Sequence, residues 1–309
     1  EFYNKKTSDL LGNRQTDPTT GWPSLLLNYG EMYNRGVELT LESRNFVGRD
    51  FSWTTNFTFS YNKNKLTRVE ASGSSAMDYY YSLQNREGKP MNAMWVIRYA
   101  GLDEEGYPTA YKADGTIVKS YSELEPEDLK YAGTADPPYS AALQNRLSYK
   151  GFDLDFMFVY YGGHVLRDVA AGYLWNRYPV LNYAGVVDRG RLKFWQQPGD
   201  EKDPDMAPAF LYGTSHTYSE YLWSAADKHV QKGDYIKLRD VTLSYTFPKV
   251  LVNKFYAENL RVSLQVQNLF YWAANKRHLD PEVWSGRTLS PSRGYRIPPT
   301  WTLGLSLNF

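Results

Sequence analysis

Apolar and polar residues alternate along several stretches of the chain, and the clearest stretch runs from residue 51 to residue 61. Its odd-numbered positions are mostly aromatic, and its even-numbered positions are Ser, Thr or Asn. A period of two places successive side chains on opposite faces of an extended strand. Such a stretch is long enough to cross a membrane, because a tilted strand needs about 9–11 residues. The pattern therefore predicts a strand with one apolar and one polar face.

The same alternation recurs along the chain and assigns side chains to two faces. We expect one set to face lipid: Phe51, Trp53, Phe57, Phe59, Phe152, Leu154, Phe156 and Phe158. We expect the residues between them to face the interior of a barrel: Thr54, Asn56, Thr58, Asp153 and Asp155. Aromatic residues end several of the apolar rows, which is where the interfacial girdles of a membrane barrel lie.

Ten strands are predicted when weaker stretches near 92–100, 106–113 and 139–149 are included. The strand near 106–113 is assigned partly to preserve the alternation of short and long connections. The short connections are 48–50, 150–151 and 248–259, and the long ones are 11–34, 68–91, 162–233 and 272–298. Short turns on one side and long loops on the other are typical of bacterial outer-membrane barrels. Helical periodicity is absent, apart from a short amphipathic turn expected at 250–256.

Composition leaves two kinds of β-protein open. Aromatic residues make up 16% of the chain, yet the mean hydropathy is −0.57. A membrane barrel combines these properties because only one face of each strand is apolar and its loops are polar. A soluble, aromatic-rich β-sandwich that binds carbohydrate would also show many strands and stays as the alternative. No run approaches the ~20 apolar residues of a membrane helix.

Charge and residue usage exclude several function classes. Lys and Arg number 35 against 34 for Asp and Glu, so the bulk charge does not indicate a nucleic-acid partner. The absence of cysteine excludes disulfides and thiolate metal sites. The sequence contains no nucleophile-elbow, zinc-protease, P-loop or dinucleotide motif. An outer-membrane lipase would need a Ser/His/Asn arrangement that the sequence does not provide, so we expect neither enzymatic activity nor a cofactor.

Two groups of loop residues were weighed as sites and set aside. The four histidines lie in or beside predicted loops, where catalysis is not expected: His164, His216, His229 and His278. An acidic group offers the oxygen ligands that Ca²⁺ prefers: Asp200, Glu201, Asp203 and Asp205. Its spacing does not match the helix–loop–helix calcium pattern. A solvated acidic loop is therefore the preferred interpretation.

The segment 162–233 is the longest predicted connection and is rich in aromatic residues. Long loops of this kind are usually functional. Exposed aromatic rings stack on sugars or fill the pockets of a partner, but they also pack a loop against its neighbours, and the sequence does not decide between these roles. The candidates for contact with a substrate or a protein lid are Tyr173, Trp175, Tyr178, Trp195, Tyr212, Tyr221 and Trp223.

The last stretch of the chain alternates up to a terminal aromatic residue. Its apolar positions are Trp301, Leu303, Leu305, Leu307 and Phe309. As structure, this stretch predicts one more barrel strand. It also resembles the C-terminal signal by which outer-membrane proteins are recognised by their assembly machinery.

Short motifs in a fixed order resemble the SusC/RagA-type TonB-dependent outer-membrane transporters. The motifs lie at Asn34 to Leu39, Tyr61 to Lys65, Tyr99 to Asp103, Ser148 to Leu154, Tyr235 to Tyr245 and Gln267 to Phe270. Each is weak alone, but together they extend over essentially the whole chain. The stretch 91–99 departs from the family pattern, because it lacks the expected glycine and aromatic pairing.

The resemblance implies an all-β fold, an antiparallel transmembrane β-barrel segment belonging to a larger, plugged barrel of ~22 strands. Residues 1–309 would be its C-terminal portion, lacking the plug domain, the TonB box and the N-terminal strands. The implied function is uptake of an oligosaccharide or peptide across the outer membrane of a Gram-negative bacterium. The implied partners are a SusD-like surface lipoprotein, TonB acting through the plug, the N-terminal half of the same barrel, and outer-membrane lipid.

Overall fold

A computed structural model describes residues 1–15, 19, 21, 24–69, 75–81, 83–168, 193–209, 217–283 and 296–309. Strands dominate this part of the chain: β1 (Phe2–Gln15), β2 (Ser24–Val47), β3 (Phe51–Val69), β4 (Ala93–Val96), β5 (Arg98–Leu102), β6 (Pro108–Tyr111), β7 (Ile117–Val118), β8 (Lys130–Thr134), β9 (Tyr139–Tyr149), β10 (Phe152–Gly162), β11 (Val165–Arg167), β12 (Val230–Lys232), β13 (Tyr235–Thr246), β14 (Asn259–Ala273) and β15 (Thr300–Asn308). The helices are short: α1 (Ala76–Tyr81), α2 (Thr217–Ser224) and α3 (Lys249–Val252). Among the described residues, no helix is long and apolar enough to span a membrane.

Eight strands form one antiparallel sheet in the order β1-β2-β3-β9-β10-β13-β14-β15. Each member pairs with the next member along the chain, so the connections lie alternately at the two ends of the sheet. One end carries the turns 48–50, 150–151 and 247–258, and the other carries 16–23, 70–138, 163–234 and 274–299. Strand β15 runs toward the end with the short turns. The predicted all-β, antiparallel fold class is confirmed.

Two of the ten predicted strands do not belong to this sheet. Strand β4 pairs with β8, and β6 lies between β5 and β7 in a separate small sheet. All four residues of β4 are buried. The cause is visible in the sequence, because residues 93–97 form a continuous apolar run, which suits a strand covered on both faces. The two miscounted strands follow one another along the chain, so short and long connections alternate with or without them. The alternation therefore gave no sign of the error.

The predicted long connection 11–34 is also corrected, since most of it is strand. Strands β1 and β2 remain paired as far as Gln15 and Ser24. They continue their backbone hydrogen bonds beyond the apolar rows, where the sequence loses its alternation. In contrast, the helical turn expected at 250–256 is found, as α3 followed by a 3₁₀ turn at Asn253–Phe255.

The register of the sheet joins apolar side chains into continuous rows, because directly opposed residues of antiparallel strands point to the same face. One row consists of Leu41, Phe57, Leu143, Phe158, Leu238 and Phe270. A second row consists of Trp53, Leu147, Leu154, Leu243, Leu264 and Leu303. Along β15 the side chains of this face are largely uncovered, with Leu303 77% and Leu305 71% exposed. The predicted lipid-facing residues of β3 and β10 all lie on this apolar face.

The opposite face is polar over the same strands. One of its rows consists of Thr54, Arg146, Asp155, Thr242, Gln265 and Thr302. Neighbouring strands exchange side-chain hydrogen bonds there: the amide of Gln144 donates to Asp155 at 3.0 Å, and Gln265 donates to Asp240 at 2.5 Å. The residues predicted to face the interior lie on this polar face. Whether the two faces meet lipid and lumen stays a prediction.

Replacing Phe57 by Arg should destabilise the folded protein by about 2–4 kcal/mol, whereas Thr58→Arg should cost little, because an arginine is expensive on a lipid face and tolerated on a lumen face. The measurement is the free energy of unfolding of each full-length variant in lipid vesicles. Equal costs at these adjacent positions would contradict the two-faced assignment.

Candidate functional site

A β-bulge shapes the polar face near the middle of β13. Opposite β10, the partners of Met157 and Phe158 are Asp240 and Leu238, so Arg239 is an extra residue of β13. Opposite β14 the extra residue belongs to β14, where Asn268 and Leu269 stand against Arg239 alone. A bulge re-aims the side chains next to it. Here it places Arg239 beside Asp240 on the polar face. The two line a pocket of ≈ 400 Å³ together with Gln144, Asp155, Met157, Gln267 and Asn268.

A buried lysine on β13 holds the loop that follows β14. The side chain of Lys237 is 4% exposed, and its ammonium donates to Asp280 Oδ2 at 2.7 Å and to Glu282. The guanidinium of Arg239 binds both carboxylate oxygens of Glu282, at 2.7 and 3.1 Å. Charges removed from water must be paired in this way. These bonds fasten residues 280–282 to the polar face of the eight-stranded sheet, which we call the polar wall.

The electrostatics of the loop residue Glu282 agree with this pairing. Burial acts to raise the pKa of Glu282, but hydrogen bonds from Arg239 and Lys237 outweigh it and hold the pKa below 4.5. The carboxylate is therefore ionised at neutral pH and completes the pair with Arg239. Because its pKa is depressed in the folded state, this contribution to stability is present above the unfolded value and is lost as the pH falls through the folded value.

The long connections are tied to one another at the same end of the sheet. Arg167 donates to the carbonyl of Trp95 at 2.8 Å, which links the connection 163–234 to the connection 70–138. Asp168, 1% exposed, forms an ion pair with Arg277 at 3.1 Å, which adds the connection 274–299. Strands β11 and β12 pair within the connection 163–234. The described parts of three long connections therefore form one linked layer, which we call the cap.

The cap has its own hydrophobic core, which the sequence analysis missed. Buried residues from two connections meet in it: Ala76, Tyr79, Ala93, Trp95, Ile97, Ala110, Val118, Tyr121, Leu124, Leu129, Leu222, Ala225 and Ala226. The hydroxyl of Tyr121 donates to the carbonyl of Ala76 at 2.7 Å, and the guanidinium of Arg86 lies 4.0 Å from the centre of the Trp95 ring. The apolar run 93–97 was the available signal. Helices α1 and α2, which contribute to this core, are too short to show periodicity.

Three of the seven predicted contact aromatics lie in the described residues, and all three take part in packing. Trp223 is 4% exposed, and its ring centre lies 4.7 Å from that of His229 and 5.6 Å from that of Tyr99. Tyr221 packs against the cap core, and Trp195 belongs to a smaller cluster around Trp223. Tyr173, Trp175, Tyr178 and Tyr212 lie outside the described residues. The role of these seven residues in contacting a substrate or a lid stays a prediction.

The acidic loop is internally hydrogen-bonded. Asp200 accepts from the backbone N–H of Gln196 at 3.0 Å, Glu201 accepts from Gly199 at 2.7 Å, and Asp203 pairs with Lys193. Within the described ranges, no group of three or more His, Asp or Glu side chains is arranged to hold a metal ion. Of the histidines, His164 and His229 are buried, His278 is exposed, and His216 lies outside the described residues. Burial lowers the pKa of His164, which favours the neutral ring.

Comparisons with known proteins were made for the sequence and for the structure. No family model matches the sequence. The chain is 25% identical over 345 residues to "TonB-dependent receptor P3" of Formosa agariphila, covering 100% of this chain and 32% of that protein. It is 24% identical over 323 residues to "TonB-dependent receptor SusC" of Bacteroides thetaiotaomicron, covering 99% of this chain and 29% of that protein. The chain thus spans about a third of the length of these relatives.

The fold is similar to that of solved transporters. The structure of the RagAB peptide transporter matches with a TM-score of 0.74 and 22% identity, over 100% of this chain and 33% of that chain. The RagAB peptide importer in its closed-closed state matches with a TM-score of 0.75 and 22% identity, over the same shares. The eight-stranded sheet and the cap therefore have the fold of one part of such a transporter chain.

Replacing Lys237 by Met should release the segment 279–283 from the polar face, because Asp280 would be left buried without its partner, at a cost of about 3–5 kcal/mol. Hydrogen–deuterium exchange of this segment measures the release. Adding Asp280→Asn to the same variant should recover part of the protection, and Lys232→Met, at an exposed lysine, should leave it unchanged. Unaltered exchange in Lys237→Met would show that the ion pair does not fasten the loop.

Proposed function

Since the chain is a SusC-like region of a TonB-dependent transporter, we propose that it takes part in the uptake of an oligosaccharide or peptide across the outer membrane of a Gram-negative bacterium. The observation that carries the proposal is the two-faced sheet, whose apolar rows are exposed on one side and whose polar wall lies under a linked cap. A hydrocarbon layer would cover the first face, and an aqueous pathway would follow the second.

Within that transporter, we place residues 1–309 in the C-terminal part of the barrel. The share of the relatives that the chain covers supports its being one part of a larger barrel, as does the sheet itself. Among the described residues, β1 pairs only with β2 and β15 only with β14, so the sheet is open at both edges. Lipid does not tolerate an open edge. The N-terminal half of the barrel would pair with both edges, and the plug and TonB box would belong to that half.

The proposed partners follow from the two ends of the barrel. A SusD-like lipoprotein would rest on the cap, where the long connections meet. TonB would act from the opposite side, through the plug. The relatives are named as receptors and transporters, and we propose that this protein likewise moves its solute without breaking a bond or using a cofactor.

The rival interpretation, a soluble carbohydrate-binding sandwich, needs a second sheet over the apolar rows. The exposure of Leu303 and Leu305 argues against it. In that fold these side chains would be buried at a gain of about 1.5–3 kcal/mol each.

The function is tested in the full-length protein by growth on single oligosaccharides or peptides as the limiting nutrient. Deleting the gene for the protein, or for TonB, should abolish growth on the same nutrient. Replacing Tyr173, Trp175 and Tyr178 by Ala should leave the amount in the outer membrane unchanged but reduce uptake or the recovery of the lipoprotein. The matched control is Tyr256→Ala, since Tyr256 is 93% exposed at the short-turn end. Uptake that survives the loss of TonB would disprove the proposed function.

A separate prediction concerns assembly. A charge near the membrane interface costs only about 0–1 kcal/mol of barrel stability, so Phe309→Asp should hardly change the stability of the folded protein. If Phe309 is read as a terminal signal, the same variant should nevertheless lower the amount in the outer membrane severely. Leu305→Asp lies deeper in the sheet and should lower the stability more. Wild-type amounts of Phe309→Asp would show that the terminal residue is only another strand position.

A further inference from the structure

Two cations face each other on β2 and β3, just beyond the apolar rows. Arg35 is the register partner of Lys63. The next pair on the same face, two residues nearer the apolar rows, is Val37 with Tyr61. A strand advances about 3.3 Å per residue, so the charged pair stands about 7 Å beyond the last apolar row. It lies toward the long connections, which the proposed function places outside the cell.

The position of the pair matches the headgroup level of a membrane. The ring of Tyr61 stacks on that of Tyr139, with centres 4.8 Å apart and planes 26° apart. Tyrosine is enriched where hydrocarbon meets the polar headgroups. If this stack marks the interface, Arg35 and Lys63 lie among the headgroups of the outer leaflet.

The like charges are not neutralised in the described part of the chain, where neither Arg35 nor Lys63 forms an ion pair. Arg35 donates to Asn4 at 3.1 Å and lies 4.5 Å from the centre of the Tyr33 ring, so both of its contacts are with uncharged groups. Like charges directly opposite each other in a sheet are destabilising. A bound anion would remove that cost. The nearby Lys6, by contrast, is already paired with Glu31 at 2.9 Å.

A pocket of ≈ 380 Å³ adjoins the pair. It is lined by Tyr61, Asn62, Lys63, Asn64, Pro90, Met91, Tyr131, Thr134, Asp136, Pro137, Pro138, Tyr139 and Gly163. The one acidic residue of the lining, Asp136, accepts from Asn92 at 2.6 Å, and a further cation, Lys89, lies 4.6 Å from the centre of the Tyr131 ring.

These features combine the groups that recognise a phosphate with the groups that recognise a sugar. Arg and Lys bind phosphate oxygens through charge-assisted hydrogen bonds. Tyrosine rings offer an apolar surface with a hydroxyl group for a sugar ring. We propose that Arg35, Lys63 and the adjoining pocket bind the phosphorylated sugar headgroup of a lipid in the outer leaflet. The inference rests on the proposed function, because it needs the apolar face to be embedded in the outer membrane.

The test uses the full-length protein, purified in detergent and freed of lipid, with lipid A as the probe. Binding is measured by native mass spectrometry and by the shift in the thermal midpoint, since a ligand that binds only the folded state stabilises it. Lipid A should bind, and dephosphorylated lipid A should bind at least about tenfold more weakly, as expected for the loss of charge-assisted hydrogen bonds. Inorganic phosphate and a polyglutamate peptide are the other arms, and neither should compete at the concentration at which lipid A saturates.

The matched variants remove the same charge from opposite ends of the barrel. Arg35→Gln with Lys63→Gln should weaken lipid A binding about tenfold or more, while its thermal midpoint without lipid equals or exceeds the wild-type value because the repulsion is gone. Lys249→Gln with Lys254→Gln, at the short-turn end, should bind lipid A like the wild type.

Three results would overturn the inference: equal binding of both lipids, unchanged binding by the Arg35 and Lys63 variant, or preferential binding of polyglutamate or inorganic phosphate. Fractionation of cells decides the proposed function separately. If the protein is recovered in the outer membrane but shows any of these results, only the lipid site fails. If it is absent from the outer membrane, the proposed function fails with it.

Discussion

Hydrocarbon offers no hydrogen-bond partner to a peptide group, and under the proposed function the arrangement of this chain follows from that constraint. Strands that keep every backbone group paired from one rim to the other can face lipid, and irregular chain cannot. The eight paired strands accordingly occupy the span of the apolar rows, and the irregular segments lie beyond it. One polar side chain of the apolar face illustrates the rule: Asn145 is 7% exposed, and its oxygen accepts from the indole of Trp53 at 2.9 Å and from Thr55 at 2.6 Å.

The same alternation that predicted the strands also explains where the sequence was misleading. Period two is informative only where the two faces meet different surroundings, as they do along Phe51 to Tyr61. Strand β4 is buried on both faces inside the cap, so it shows a continuous apolar run and resembles a weak barrel strand. The face of each residue on β3 and β10 could therefore be predicted, whereas the strand count could not. The bulge at Arg239 does leave a trace in the sequence, because the apolar positions of β13 change from even numbers (Ile236, Leu238) to odd numbers (Val241, Leu243), but the sequence analysis used only the second half of this pattern.

The candidate site was harder to predict for a related reason. Lys237 and Asp280 are 43 residues apart and belong to different elements, so only the folded chain shows that they pair. Their pairing fixes the connection 274–299 to the polar wall. The ion pair of Asp168 with Arg277 joins the connection 163–234 to it. Buried charges thus hold the cap on the sheet at Lys237, and backbone hydrogen bonds between Leu66 of β3 and the residues Gly88 and Lys89 hold it at a second point. The ion pairs are strong only while both partners stay in place, since removing one leaves a buried charge unpaired.

Farther from the cap, carboxylates of the polar wall also have neutral hydrogen-bond partners. The carboxylates of Asp155 and Asp240 already accept hydrogen bonds from Gln144 and Gln265 on neighbouring strands. Only part of their hydrogen-bonding capacity is therefore left for a solute. A transport pathway requires binding that is favourable enough for entry and weak enough for release. Side chains that can exchange a bond with a neighbour for a bond with a passing polar group meet both requirements. Under the proposed function, the saturated charges at Lys237 fix the cap, and the partly satisfied groups around the bulge face the moving solute.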